Sequence, residues 1–263
     1  MDNDEALVLA VSCIITIWRG HRWYAALLNG ARLRRHVLSR LLLGVMPIVC
    51  LAIIEFVLRR WAAVEVRTTG GYQFLFLAAG GVWLVFLTWV MPIFGIDPRI
   101  DAIDNGNSAA CVAVCGAMLG MSICYAGANI GEGATIWMTF FPAVVGAALI
   151  LGLWMFVEMT SGISAAIAIE RDLASGVRLA GLLIAIGLIL ARAAAGDWVS
   201  IDATLQDFVR LGWPAALMAV IFSVVDRLFQ PTPSRPKPSI ILFGVMPMVA
   251  YCALTWLVVR WRR

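Results

Sequence analysis

Apolar residues run almost unbroken through seven stretches of this chain: 39–60, 72–95, 107–128, 135–158, 173–196, 210–229 and 239–260. Each reaches the roughly 20 residues that a helix needs to cross the hydrocarbon core. Residues 6–18 form a shorter run, a candidate eighth span. A strand or loop in lipid would leave its peptide groups unpaired, so every span is expected to be α-helical. The connections are short and carry turn chemistry: Gly95-Ile96-Asp97-Pro98, Asp104-Asn105-Gly106-Asn107, Gly131-Glu132-Gly133 and Pro231-Thr232-Pro233. They leave no room for a globular soluble domain. The pattern predicts an all-α polytopic membrane protein with seven or eight transmembrane helices.

Composition agrees, since 62% of the 263 residues are hydrophobic and only 14% are charged. A soluble domain is nearer half apolar and a quarter charged, and a disordered chain has the opposite balance. The net charge of +4 comes from arginines gathered at the ends of apolar runs. That placement suits a membrane surface, and no nucleic-acid partner is expected. Segment 19–40, with its arginines, His21, His36, Trp23 and Tyr24, reads as an interfacial helix on anionic lipid and as the best cytoplasmic marker. Strict alternation of eight spans then places 96–106, 159–172 and 230–238 on the same side. Cys13, Cys50, Cys111, Cys115, Cys124 and Cys252 all lie inside apolar runs and read as buried thiols. The acidic opening Met1-Asp-Asn-Asp-Glu5 does not resemble a signal-peptide n-region, so the first segment is expected to be retained.

Two internal similarities organise the spans. With a shift of 65 residues, the run from Ile103 falls on the run from Ile169, pairing Asn107 with Asp172, Ala109 with Ala174 and Gly116 with Gly181. The preceding spans align at the same shift: Gly81 on Gly146, Leu84 on Leu149 and Trp89 on Trp154. This predicts a tandem pair of two-helix units, about 74–134 and 139–199, with the same up-down sense, as in parallel transporter repeats. Residues 41–61 also match 241–261, sharing Gly-Val-Met-Pro and a terminal Arg-Trp. The expected organisation is an N-terminal membrane segment (1–70), a duplicated four-helix core (72–230) and a C-terminal helix (236–263).

The run Asn-x-Ala-Ala at Asn107-Ser108-Ala109-Ala110, leading into a helix with internal small residues and given twice, resembles the short YjfL-type bacterial inner-membrane proteins, a family of unknown function. The likeness covers about residues 74–230. In the second copy, Asp172-Leu173-Ala174-Ser175 replaces the amide with an acid. The resemblance implies four helices from two duplicated hairpins and a multi-pass location in the bacterial cytoplasmic membrane. It brings no known reaction, cofactor or catalytic residue.

Asn107 and Asp172 each stand one step before an apolar helix, where a side-chain acceptor caps the first N–H groups. The functional alternative is a symmetric polar pair at the mouth of a pathway between the hairpins. Ionisable groups in or beside spans are the default functional candidates, because charge near the bilayer centre is costly. Four stand out here. Glu158 and Arg178 are placed toward one face and could pair; Glu132 and Arg192, with Asp197 close by, lie toward the other. Arginine snorkelling and structural ion pairs are the plainer reading. Cys111, Cys115, Met118 and Ser122 share a helical face, but the aligned Gly176, Ala180, Leu183 and Gly187 carry no sulfur, so packing of small residues is expected and no metal. Gly116 and Gly120, with Gly181 and Ala185, read as close-packing positions. The glycines of 127–133 lack the order of a phosphate loop. No nucleophile elbow or catalytic constellation is present, so neither enzyme activity nor a cofactor is expected. Three functions remain: a small-solute or ion permeation module at the repeat interface; a non-catalytic membrane subunit or anchor, as a homo-oligomer or with a membrane partner; and, with least behind it, a membrane enzyme acting on lipid.

Overall fold

The computed structural model describes residues 2–29, 37–133, 135–232 and 238–261. The chain is an all-α integral membrane protein. Its helices are α1 (Asn3–Asn29), α2 (Val37–Trp61), the short α3 (Val64–Thr68), α4 (Gly70–Val90), α5 (Ser108–Ala128), α6 (Ile136–Ser161), the short α7 (Ile163–Ala168), α8 (Leu173–Ala194), α9 (Ile201–Phe229) and α10 (Met246–Trp261). Pro98–Asp104 and Ile241–Val245 form π-helical turns. Among the described residues, 7 helices are long and apolar enough to cross a membrane: α2, α4, α5, α6, α8, α9 and α10, some of them extended by adjoining turns.

Side-chain bonds fix the direction of each helix. The hydroxyl of Tyr72, at the start of α4, donates to Glu5 at the start of α1, and Arg19 stacks on Trp89 near the end of α4. Helix α1 therefore runs alongside α4 in the same direction, from what we term the near face to the far face. At the far face Ser39 meets Ser108, and Asn107 reaches Ile167. At the near face Ala62 bridges Gly131, and the amide of Gly196 donates to Ile130 O at 2.9 Å. These contacts make α2, α5, α8 and α10 run from far to near, while α1, α4, α6 and α9 run from near to far.

Two layers result. Helices α2, α5, α8 and α10 form a row of neighbours, and α1, α4, α6 and α9 lie against it. Aromatic pairs join α4 to α6: Phe76 with Phe140 at 6.2 Å, and Phe94, in the turn after α4, with Trp154 at 4.6 Å. The middle of the row is almost wholly enclosed: of an 18-residue apolar stretch in each span, 83% is buried in α5 and 78% in α8, against 28% in α2 and 22% in the span that ends in α10. Small residues explain that enclosure. A methyl group at Gly116, Gly120 or Gly127 of α5 would overlap the backbone of Ala180, Leu183 or Ala191, and one at Gly176 or Gly187 of α8 would strike Ala109 or Gly120. With no Cβ between them the backbones approach directly, which is how helices gain packing in lipid. Gly181 is also a close-packing position, with Met248 of α10 as its neighbour.

The expected interfacial helix over 19–40 is not what the described residues form. Residues 19–29 are the last turns of α1, residues 37–40 open α2, and 30–36 lie outside the described residues, with His36 among them. The physical reason lies in Pro47. Lacking an N–H, it leaves the carbonyl of Leu43 without its helical donor. The indole of Trp23 supplies one at 3.1 Å, and the hydroxyl of Tyr24 donates to Gly44 O at 2.9 Å. These bonds clamp the end of α1 against α2 and keep it helical.

Candidate functional site

Asn107 and Asp172 are built by the same local backbone. The residue before each has left-handed geometry, Gly106 at φ +59° and Arg171 at φ +58°. The amide of Asn107 donates back to Asp101 O and that of Asp172 to Ala166 O, six residues in each case. Two residues earlier, the amide of Asn105 donates to Ile100 O and that of Glu170 to Ala165 O. Both side chains then cap their helix. Asn107 Oδ1 accepts from Ala109 and Ala110, and Asp172 accepts from Ala174 and Ser175. The spare amide of Asn107 donates to Ile167 O at 2.7 Å, which ties the start of α5 to α7. Asn107 is 3% exposed, so its polar atoms face helix ends and not a water-filled mouth.

Arg178 is the most deeply committed charge. It lies one and a half turns into α8, about 8 Å along the helix from Leu173 at the usual rise, and it is fully buried. Its partner is not Glu158 but Asp226 of α9, which is equally buried: Nη2 and Nε reach Oδ1 at 2.6 and 3.1 Å. Nη2 also donates to Ser175 Oγ at 2.9 Å, and that hydroxyl donates to Asp172. Nη1 donates to Phe243 O at 2.5 Å. Phe243 stands four residues before Pro247, so this is a second carbonyl deprived of its helical donor by a Gly-Val-Met-Pro segment. Gln230 completes the chain, donating to Asp226 Oδ2 and to Ser161 O, both at 2.7 Å. The network joins α8, α9 and the turn leading to α10 at the far face.

The other charges serve as turn locks. Glu158 accepts from the amide and hydroxyl of Ser164, at 3.1 and 2.5 Å, closing the α6–α7 corner at Gly162 (φ +64°). Proximity along its own chain wins over a partner on α8. Glu132 accepts from the amide of Val64, while its own amide donates to Asp197 Oδ1 at 2.8 Å. Arg192, half-buried in the last turn of α8, pairs with neither acid among the described residues. Near these loops Gly131 and Gly196 both adopt positive φ, and they too are 65 residues apart. On the sulfur face, Cys111 turns toward α2 and donates to Ser39 O at 3.4 Å.

Two larger cavities adjoin α1 at the far face, and none of the six expected site residues lines them. A small space of about 40 Å³ at the near face touches Glu132 and Asp197. Sequence reading missed Asp226, although an acid inside the apolar stretch 210–229 is itself a signal, because such a group needs a partner.

Residues 66–194 match the family model DUF350, Domain of Unknown Function. The DUF350 match takes in α4 to α8, and with them the α5–α8 seam and all six expected site residues. Asp226 lies beyond it, so the ion pair ties the DUF350 segment to α9. No curated protein and no solved structure matches the chain.

Proposed function

We propose that the protein is a non-catalytic membrane subunit that assembles laterally through α10, with a second copy of itself as the first partner. One observation carries this reading. At the shift of 200 residues that aligns 41–61 with 241–261, Cys50, Ile54 and Val57 of α2 correspond to Ala250, Leu254 and Leu257 of α10. Helix α2 buries that face in the row, with Ile54 at 0% exposure; α10 leaves it open, with Leu254 at 47% and Leu257 at 55%. The three positions share one helical face and include a small residue that permits close approach. Two copies related by an axis along the membrane normal would bring these faces together with α10 running in the same sense in both, an isologous pairing.

The permeation reading finds less support. The α5–α8 seam is closed by backbone contact, and Asn107, Asp172, Glu158 and Arg178 are spent on caps, a corner and a sealed ion pair. The matched backbone bonds, the left-handed residues before both caps and the positive-φ glycines support duplication of the hairpin unit with its sense preserved. The run of α1 along α4 supports an eighth crossing. With the basic far face inward, the setting is the bacterial cytoplasmic membrane.

Oxidative cross-linking of Leu254→Cys in a Cys252→Ser background, in membranes, is expected to trap a dimer. Single-molecule photobleaching in dilute liposomes that shows only monomers, together with no cross-link, would remove the proposal. Potassium or chloride flux above that of empty liposomes, abolished by Asp226→Asn, would restore permeation.

A further inference from the structure

Helix α1 packs along α4 but touches α2 only near its end, so a cleft remains between α1 and α2. Its volume is about 420 Å³, and it opens toward the far face. The walls are apolar or small: Thr16 and Gly20 of α1, Pro47 and Leu51 of α2, Leu84 and Val85 of α4, with Met118 of α5 also in the lining. The rim is cationic, formed by Arg19, Arg22 and Arg99. Asp97 is also there, but its Oδ1 already accepts from the amides of Arg99 and Ile100. Arg99 lies 3.7 Å from Asp104. Arg19 and Arg22 have no carboxylate partner among the described residues. They are held instead by aromatic faces, Arg19 over Trp18 and Trp89 and Arg22 over Trp18, at 5.4–5.7 Å.

An apolar slot of ligand size, entered from the membrane surface beneath Arg19 and Arg22, which pair with no carboxylate among the described residues, matches one kind of molecule in its surroundings. We propose that this cleft is a binding site for an anionic glycerophospholipid. One acyl chain would lie between α1 and α2, and the phosphate would sit at Arg19 and Arg22, with Arg99 at the edge. Arginine suits this role because its planar fork matches phosphate oxygens and also stacks on indole rings. The site is separate from the proposed α10 contact and does not depend on it. It differs from diffuse attraction of a basic surface, because the slot adds a chain-length requirement to the charge requirement.

The test uses the full chain in mild detergent, with bound lipid read by native mass spectrometry after addition of phosphatidylglycerol or phosphatidylcholine. The wild type is expected to retain phosphatidylglycerol in preference, at one per chain. Each of Arg19→Gln and Arg22→Gln should weaken that preference roughly fivefold, the worth of one cationic side chain near an anionic headgroup. Leu51→Trp, which fills the slot and leaves every charge in place, should lose the lipid while keeping its helical circular dichroism. Excess inorganic phosphate should not displace the lipid, because phosphate lacks the chain. Equal retention of the two lipids by wild type, an unchanged preference in both Arg19→Gln and Arg22→Gln, full retention in Leu51→Trp, or displacement by phosphate would each overturn the proposal.

Discussion

Removing the Asp226 carboxylate by Asp226→Ala leaves Arg178 buried with two of its four hydrogen bonds, those to Phe243 O and Ser175 Oγ. The lost bonds are the two to Oδ1, and Gln230 loses its bond to Oδ2. A guanidinium sealed at 0% exposure cannot extend to water without separating α8 from α9 and α10. Breaking a buried pair on one side costs about 3–5 kcal/mol. An ordinary hydrogen bond between membrane helices averages about 0.6 kcal/mol. Arg178→Met should cost a similar 3–5 kcal/mol, because it strands the carboxylate. The double variant Arg178→Met with Asp226→Ala removes both charges and takes the Arg178 bond from Phe243 O, a penalty of about 1–3 kcal/mol. The two single losses therefore overshoot the double, with a coupling of about 3 kcal/mol or more. Unfolding of each variant by dodecyl sulfate in mixed micelles, followed by circular dichroism, measures all three. Single losses below about 1 kcal/mol, or a double equal to the sum of the singles, would refute the account of a sealed and mutually dependent pair.

Three further outcomes follow from the same structure. Asn107→Ala removes a cap worth about 1 kcal/mol and strips Ile167 O of its donor, so a loss of about 2 kcal/mol or more is expected in the same assay. Arg171→Gly relieves a left-handed residue that is not glycine and should stabilise by about 1 kcal/mol, whereas Gly106→Ala should destabilise by a similar amount. Gly120→Leu places a side chain against the carbonyl of Leu183 and should disrupt the α5–α8 seam, seen as faster hydrogen exchange in α5 and α8 together.

The spans and both helix caps could be read from the chain because their causes are local. Twenty apolar residues demand a crossing, and an acceptor beside an apolar run meets the need of the first N–H groups in the same few residues. The partners of buried charge were not legible in that way. Glu158 and Arg178 sit at the same end of adjacent spans, and axial position alone favours pairing them. What decides the matter is angular position around each helix, which directs Glu158 to Ser164 and Arg178 to Asp226, 48 residues further on. The end of α1 was misread for a related reason. Arginines beside an apolar run describe a surface helix well, but the carbonyl freed by Pro47 lies twenty residues from Trp23 and appears as an acceptor only when both helices are in place. The two Gly-Val-Met-Pro segments were visible as a similarity; that each opens a carbonyl to a side-chain donor was visible only in three dimensions.

Helix α1 sets out from the near face and α10 arrives there, and every hairpin between them goes out and comes back. Gain or loss of a whole hairpin within this architecture would change the width of the slab without moving either end to the other compartment. On the proposed eighth crossing by α1, a reporter attached before Asn3 and another attached beyond Trp261 would sample the same solution, and a single impermeant quencher should darken both or neither.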